Sequence, residues 1–362
     1  MGCSNFGSSE KYKTIKTFQE SNINIKCSLI KSTKTEDIYH YKKINISDTN
    51  DKSIKRIQND LEMLKELNHP NIILLIDSYF SDDKKTLNII TEYADSGDLQ
   101  KQLDEHKKKK EYFDEGTLLD WLMQICLALK YIHEKDIIHR DIKPSNIFLM
   151  KDIVKLGDFG VAKTLNTNLK YAKTMVAVPQ YLAPEIINKE NYSFKADIWS
   201  LGVVFYQLMY LEYPFKGKNE AQILESILEG NKKEINNPNS YDPKLVDLIN
   251  KMLSKRPEER PSSEEILDNT IISSRMSCYL KENNYDFSQA EKSIKEYENN
   301  NIKKENTKPK KIKIIENIEN EESRKDDNFA INTKRENKTK YDLNRQMTLI
   351  QKELLKKNMT FN

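Results

Sequence analysis

The chain has 362 residues, of which 32% are charged and 37% hydrophobic, and its formal net charge is +3. This length allows one large two-lobed domain with further segments, and the near balance of charge gives no indication of a nucleic-acid partner. The four cysteines lack the spacing of a zinc site or disulfide framework, and no apolar run approaches a membrane span, so we expect a cytoplasmic protein.

The N-terminal segment, residues 1–11, is predicted to be disordered. Gly2 and Cys3 are similar to a dual-acylation signal, but the motif has Ser or Thr where this chain has Phe6. A membrane is therefore expected as a partner only if Gly2 and Cys3 are acylated.

Strand patterns come first along the chain. Residues 12–46 alternate weakly and are rich in Ile, Thr and Lys, which predicts short strands. Apolar residues at helical spacing predict a helix over 51–67, which ends before Pro70. Two buried strands are predicted at 72–76 and 87–90.

The pattern becomes helical from Asp98 onward. The clearest amphipathic helix covers 117–133, and Lys107 to Lys110 are interpreted as an exposed loop between helices. Further helices are predicted near 197–211, 219–229, 243–253 and 262–267. Strands followed by helices predict an α+β arrangement with two lobes joined near Glu92-Tyr93-Ala94.

The C-terminal region, residues 274–362, is rich in Lys, Glu and Asn and poor in aromatic residues. Such a composition is typical of a tail that cannot bury enough apolar surface to fold alone. Four apolar residues at helical spacing predict a short amphipathic helix near 343–357 that docks on a partner or on the domain: Leu343, Met347, Ile350 and Leu354. The alternative is a solvated, partly helical tail.

Two motifs carry the chemistry: His139-Arg140-Asp141-Ile142-Lys143-Pro144-Ser145-Asn146 and Asp158-Phe159-Gly160. Asp141 can accept the proton of an attacking hydroxyl, while Asn146 and Asp158 can hold the Mg²⁺ that neutralises nucleotide phosphates. Lys143, two residues after Asp141, is placed to reach the transferred phosphoryl group. Together and in this order, the motifs predict phosphoryl transfer.

From Tyr12 to about Ile272 the chain resembles a serine/threonine protein kinase of the NimA-related group. The resemblance is carried by these motifs and by several further segments: 67–73, 92–99, 124–129, 156–163 and 181–185. It implies a bilobal kinase domain over 12–273, with a small β-rich N-lobe (12–91) and a larger helical C-lobe (95–273). It also implies ATP and Mg²⁺ as cofactors, a protein substrate, and cytoskeletal or ciliary partners.

The resemblance also implies roles for residues around the nucleotide. Lys42 matches the strand lysine that binds the α- and β-phosphates, with Lys43 as the alternative, and Asp60 matches its helix partner. Thr91 falls at the gatekeeper position, and the backbone of Glu92 and Ala94 is expected to bond the adenine.

Other matches concern the catalytic loop and its supports. Thr174 matches an activating phosphosite whose phosphate would pair with Arg140, although an ordinary loop threonine is the alternative. Asp197 is expected to brace the catalytic loop, and Glu185 to form a buried ion pair with Arg260. Four residues match the packed column that links the lobes of an active kinase: Leu64, Leu75, His139 and Phe159.

This sequence departs from the family pattern at the nucleotide lid. No glycine occurs between Gly7 and Gly97, and the aligned segment is Gln19-Glu20-Ser21-Asn22-Ile23-Asn24. Glycine lets backbone amides approach the phosphates closely, and Ser or Asn does so less well. His40 replaces an alanine that lies against adenine, Asp60 replaces a longer glutamate, and Val178 lacks a bridging hydroxyl.

Three hypotheses remain open from the sequence. The first is a serine/threonine kinase with a reduced rate. The second is a pseudokinase that regulates a partner by docking, since each lost donor weakens the site. The third is a structural protein whose tail makes the partner contacts.

Overall fold

The computed structural model describes residues 11–18, 24–151, 153–159, 178–190, 192–232, 239–282 and 350. Several expectations fall outside the described residues: the segment with Gly2 and Cys3, lid residues 19–23, Thr174, and the tail after 282 except for Ile350. Ile350 is helical and buried, and the rest of the helix predicted near 343–357 is not described.

The N-lobe is a five-stranded sheet in which every neighbouring pair is antiparallel. The strand order is β1-β2-β3-β5-β4. The bounds are β1 Tyr12–Thr17, β2 Ile25–Ser32, β3 Ile38–Asn45, β4 Leu75–Phe80 and β5 Thr86–Glu92.

Helix α1, Asp51–Lys65, crosses between β3 and β4 and closes the N-lobe core. Its first turn is capped by Asn50, whose side chain accepts from the Ser53 amide at 2.9 Å. Ile57 and Leu61 on its inner face are buried in one cluster with residues of β3 and β5. The helical spacing therefore buries one face of α1 against the sheet.

The segment expected as a strand at 72–76 differs from the prediction. The strand begins only at Leu75, while Ile72 makes an isolated parallel bridge to Leu156 and the Ile73 amide donates to the Leu156 carbonyl at 2.8 Å. Ile72 is buried and residues 73–76 are half-buried. The run meets the C-lobe hairpin before it enters the sheet, and its apolar character alone does not distinguish that from a sheet strand.

The C-lobe is helical with one hairpin, formed by β6 Ile147–Met150 and β7 Ile153–Leu156. Its helices are α2 Leu99–Lys109, α3 Glu115–His133, α4 Pro184–Ile187, α5 Phe194–Tyr210, α6 Glu220–Glu229, α7 Pro243–Met252, α8 Ser263–Asp268 and α9 Thr270–Glu282. Nearly every residue of α5 is buried, which makes it the central helix of this lobe. Strands followed by helices give the bilobal protein-kinase fold.

One interpretation of the sequence is corrected. Lys107 to Lys109 form the last turn of α2, and Lys110 caps it in the left-handed conformation, so they are not an inter-helix loop. Cations at a helix C-terminus are favoured by its dipole, which outweighs the self-repulsion of the run. The boundary predicted between 273 and 274 lies inside α9, which continues to Glu282.

None of the described helices combines the length and apolar character that a membrane crossing needs.

Candidate active site

The catalytic-loop residues Asp141, Lys143 and Asn146 lie between α3 and β6. Asp141 Oδ2 accepts from Lys143 Nζ at 2.8 Å and from Asn146 Nδ2 at 2.8 Å. Asn146 Nδ2 also donates to the Asp141 carbonyl at 2.7 Å. These donations orient the carboxylate and leave Asn146 Oδ1 as the amide atom able to bind a cation.

Asp197 at the start of α5 supports the loop from below, as expected. Its Oδ2 accepts from the His139 amide and its Oδ1 from the Arg140 amide, both at 2.9 Å. Arg140 has a φ of 68°, a conformation that a non-glycine residue adopts only when its surroundings hold it. A carboxylate that is 1% exposed supplies that support.

His139 connects the catalytic loop to the second motif. Its Nδ1 accepts from the Asp141 amide at 3.3 Å, so Nε2 carries the proton and donates to the Gly157 carbonyl at 3.0 Å. Its ring lies 4.7 Å from that of Phe159. Complete burial lowers the pKa of His139, which keeps the imidazole neutral.

Asp158 forms an ion pair with Lys42. The ammonium donates to Oδ1 at 2.7 Å and to Oδ2 at 2.9 Å. Burial would raise the pKa of Asp158, but the charge and hydrogen bonds of Lys42 outweigh it and lower the pKa overall. For Lys42, burial lowers the pKa, whereas Asp158 raises it by more, so both groups stay charged.

The expected partner of Lys42 on α1 was Asp60, and this is corrected. Within the described residues Lys42 pairs with Asp158. The side chain of Asp60 is one methylene shorter than the family glutamate, so its reach towards Lys42 is shorter. Asp158 has a φ of 53°, and in this conformation its carboxylate meets the Lys42 ammonium.

The alternation of β3 decides between the two candidate lysines. Lys42 and His40 face the same side of the sheet, whereas Lys43 points away and is exposed. The sequence alone left both open.

A cavity of about 440 Å³ lies between the lobes. Its polar walls include Lys42, Asp141, Lys143, Asn146 and Asp158, and its volume falls in the range of ordinary ligand pockets. Apolar walls come from α1 and the sheet, including Leu64, Leu75 and Phe159. Three members of the expected column thus share this cavity, and His139 contacts it through Phe159.

Sequence reasoning missed Cys27 as a lining residue. It lies on β2 directly opposite Lys42, and burial raises the pKa of its thiol. The sequence could have indicated this residue. Once Lys42 is assigned to the cavity, the antiparallel pairing of β2 and β3 places the residue opposite it, Cys27, on the same face of the sheet.

Glu92 ends β5 at the link between the lobes. Its Oε1 accepts from Lys155 Nζ at 3.0 Å and from the Leu74 amide at 2.9 Å, and both side chains of the ion pair are 2% exposed. Ala94 follows in the same link and is half-buried. Binding of adenine by the backbone of Glu92 and Ala94 stays a prediction.

Helix α4 is anchored to the C-lobe core. Arg260 donates to both carboxylate oxygens of Glu185 at 2.7 Å, and this predicted ion pair is buried. Arg140 lies over the ring of Tyr192 at 5.9 Å, and its predicted pairing with a phosphate on Thr174 is untested. Val178 is exposed.

The donor set fits Mg²⁺ rather than a metal held by protein alone. The described residues contain no cluster of three or more His, Cys, Asp or Glu side chains suited to a metal ion. Mg²⁺ is usually held by one or two carboxylates together with substrate phosphates and water. Asp158 and Asn146 fit that role, since both line the cavity. The two residues are also tied together, because the amide of Gly157, the residue before Asp158, donates to the Asn146 carbonyl at 2.9 Å.

Comparison with known proteins places these features in a family. Residues 25–272 match the model of the protein kinase domain. Mouse (Mus musculus) serine/threonine-protein kinase Nek1 is 38% identical over 272 residues, which cover 75% of this chain and 22% of Nek1. Human (Homo sapiens) Nek2 is 36% identical over 253 residues, covering 68% of this chain and 56% of Nek2.

A third relative is the probable serine/threonine-protein kinase nek3 of Dictyostelium discoideum. It is 36% identical over 277 residues, covering 75% of this chain and 24% of the relative. The matched segment thus spans between about a fifth and just over half of the length of these three relatives. The chain belongs to the protein kinase family, in its NimA-related serine/threonine group.

Proposed function

We propose that this chain is a serine/threonine protein kinase that transfers the γ-phosphoryl group of Mg-ATP to a protein hydroxyl. One observation carries the proposal: Asp141, Asn146 and Asp158 face a single cavity that also contains Lys42 and Lys143. Positioned charges of this kind are the main source of catalysis in phosphoryl transfer.

Each residue has a role that follows from its contacts. Asp141 accepts the proton of the attacking hydroxyl, and its carboxylate is oriented for this by Asn146. Lys143 bonds the same carboxylate and can turn its charge to the transferred phosphoryl group. Asp158 and Asn146 would hold Mg²⁺, which would supply charge neutralisation at the phosphates.

Lys42 and Asp158 must separate for the site to work. Lys42 binds the α- and β-phosphates and Asp158 binds the cation, yet in this structure each is engaged by the other. The ion pair keeps both charges in place before ligand arrives. Mg-ATP supplies a replacement partner to each group at once.

A second candidate function, a docking pseudokinase, is favoured by the lid without glycine. A thermal-shift measurement with Mg-ATP separates the two, because a ligand of the folded state raises its melting temperature. A kinase gives a shift at millimolar Mg-ATP, and an unchanged melting temperature supports the docking module.

The deciding experiment is phosphotransfer to a generic basic substrate by the native chain, Asp141→Ala and Asp141→Asn. We expect both variants to lose about 10²–10⁴-fold in kcat, because the proton acceptor is gone. Their melting-temperature shift with Mg-ATP should persist. Equal phosphotransfer by all three proteins would refute the proposed kinase activity.

Further expectations complete the proposal. The Glu92 and Ala94 backbone binds adenine, and a phosphate on Thr174 pairs with Arg140 and raises activity. The protein is cytoplasmic, with cytoskeletal or ciliary partners, and reaches a membrane only if Gly2 and Cys3 are acylated. These rest on the resemblance to NimA-related kinases.

A further inference from the structure

Two polar side chains face the cavity beside its charged end. His40 on β3 lies directly opposite Thr91 on β5, and both line the cavity. Lys42 is two residues further along β3, about 7 Å away, and faces the same side. The phosphate-binding end and the His40–Thr91 pair therefore occupy adjacent parts of one cavity.

The hydrogen-bonding groups of this pair are uncommitted. Across the residues that the structure describes, no hydrogen bond is formed by either ring nitrogen of His40 or by the Thr91 hydroxyl. Burial and the Lys42 charge lower the pKa of His40, so the neutral ring offers one donor and one acceptor. Both side chains are half-buried and face the cavity, so their open hydrogen-bonding groups are available to a ligand there.

We propose that His40 is a specificity-determining residue that, together with Thr91, hydrogen-bonds the base of the bound nucleotide. This inference rests on the proposed function, which assigns the Lys42 end to the phosphates. The occupant has a heterocyclic base with a hydrogen-bond donor and acceptor on one edge. Sites that hydrogen-bond such an edge reject ligands with a different pattern, because the protein groups would stay unpaired.

The test is calorimetric binding of Mg-ATP, Mg-GTP and Mg-tripolyphosphate, the last being a probe without a base. The variants are His40→Ala, His40→Gln and Thr91→Val, each first checked for an unchanged melting temperature without ligand. Tyr41→Phe is the matched control, since Tyr41 lies on the same strand but its hydroxyl donates to Asn88 at 2.6 Å.

We expect His40→Ala to weaken Mg-ATP binding about tenfold, to reduce the ATP/GTP affinity ratio, and to leave tripolyphosphate binding unchanged. His40→Gln, which keeps a donor and an acceptor, should recover part of the loss. Thr91→Val should lower the ATP/GTP ratio in the same direction, and Tyr41→Phe should change neither affinity.

Two outcomes overturn the inference alone: an unchanged ATP/GTP ratio in His40→Ala, or tighter binding of both nucleotides, which would make the ring only an obstruction. If the native chain binds tripolyphosphate and Mg-ATP, the proposed function survives either result. If it binds neither, the proposed function and this inference fail together.

Discussion

At the scale of single residues, Lys42 acts as a competitor for the cation-binding carboxylate. Its ammonium engages both oxygens of Asp158, and its charge repels a divalent cation. A cation that arrives without nucleotide must displace the lysine and leave its half-buried ammonium without this partner. Nucleotide and cation are therefore expected to bind with positive coupling.

Lys42→Met tests this competition. We expect Mn²⁺, measured by electron paramagnetic resonance without nucleotide, to bind several-fold more tightly because Asp158 is released. Phosphotransfer should fall about 10²-fold or more, since a phosphate contact is lost. Lys43→Met is the control, because its exposed side chain points away from the cavity. Equal Mn²⁺ affinity in the native chain and Lys42→Met would contradict the competition.

At the same scale, the sequence predicted the chemistry of the site better than its pairings. Asp141, Asn146 and Asp158 were placed by motifs whose spacing is set by one turn and one hairpin. The partner of Lys42 depended on how α1 packs and on the backbone of Asp158, which has a φ of 53°. Neither is encoded in a local pattern.

At the scale of elements, a buried ion pair joins α4 to the loop before α8. The Arg260 guanidinium is completely buried and also donates to the carbonyls of Ser254, Lys195 and Lys255. It also lies 4.9 Å over the Trp199 ring. The pair therefore joins α4 and the loop before α8 to α5.

Removing one partner of this pair should be costly. We expect Glu185→Leu to lower the free energy of unfolding by about 3–5 kcal/mol, because it leaves a buried guanidinium without its counter-ion. The double variant Glu185→Leu/Arg260→Met should recover part of that loss, but not all, because three carbonyls lose their donor. Equilibrium urea unfolding measures both.

The exposed pair Arg256–Glu259 in the same loop is the control. Arg256→Ala should leave the free energy of unfolding nearly unchanged, because solvent screens surface pairs. If Glu185→Leu lowers the free energy of unfolding no more than Arg256→Ala does, the buried ion pair does not hold α4 in place.

Elements were predictable where one face repeats over many residues. Helices α1, α3 and α5 follow from apolar spacing or a long apolar run, and their observed bounds lie close to those predicted. One short run failed, since the residues expected as a strand at 72–76 are divided between β4 and a bridge to Leu156. Other short segments were predicted well: the run at 87–90 lies inside β5, and the helices predicted near 219–229, 243–253 and 262–267 match α6, α7 and α8. Local sequence does not encode which lobe a buried run packs against.

At the scale of the whole molecule, His139 sits where the lobes and both motifs meet. It is completely buried, and its Nδ1 must remain unprotonated to accept from the Asp141 amide. Protonation would break that bond and place a charge where no water reaches. The pH dependence of global stability is therefore expected to report on this junction.

The sign follows from the lowered pKa of His139, which burial causes. As pH falls below about 6.5, the histidine of the unfolded chain takes up a proton and the folded one does not. The stabilising contribution is thus complete above that pH and is lost as pH falls through the folded-state pKa. Half-buried His40 adds a change of the same sign, whereas Asp158 contributes only near and below about pH 4, where unfolded aspartate titrates.

Urea unfolding of the native chain between pH 8 and pH 5 should therefore show stability that declines below about pH 6.5. His139→Leu should be less stable at pH 8, because two hydrogen bonds are lost, yet its stability should decline less steeply as pH falls. If the stabilities of the native chain and of His139→Leu decline equally as pH falls, then protonation of His139 does not cause the loss of stability in acid.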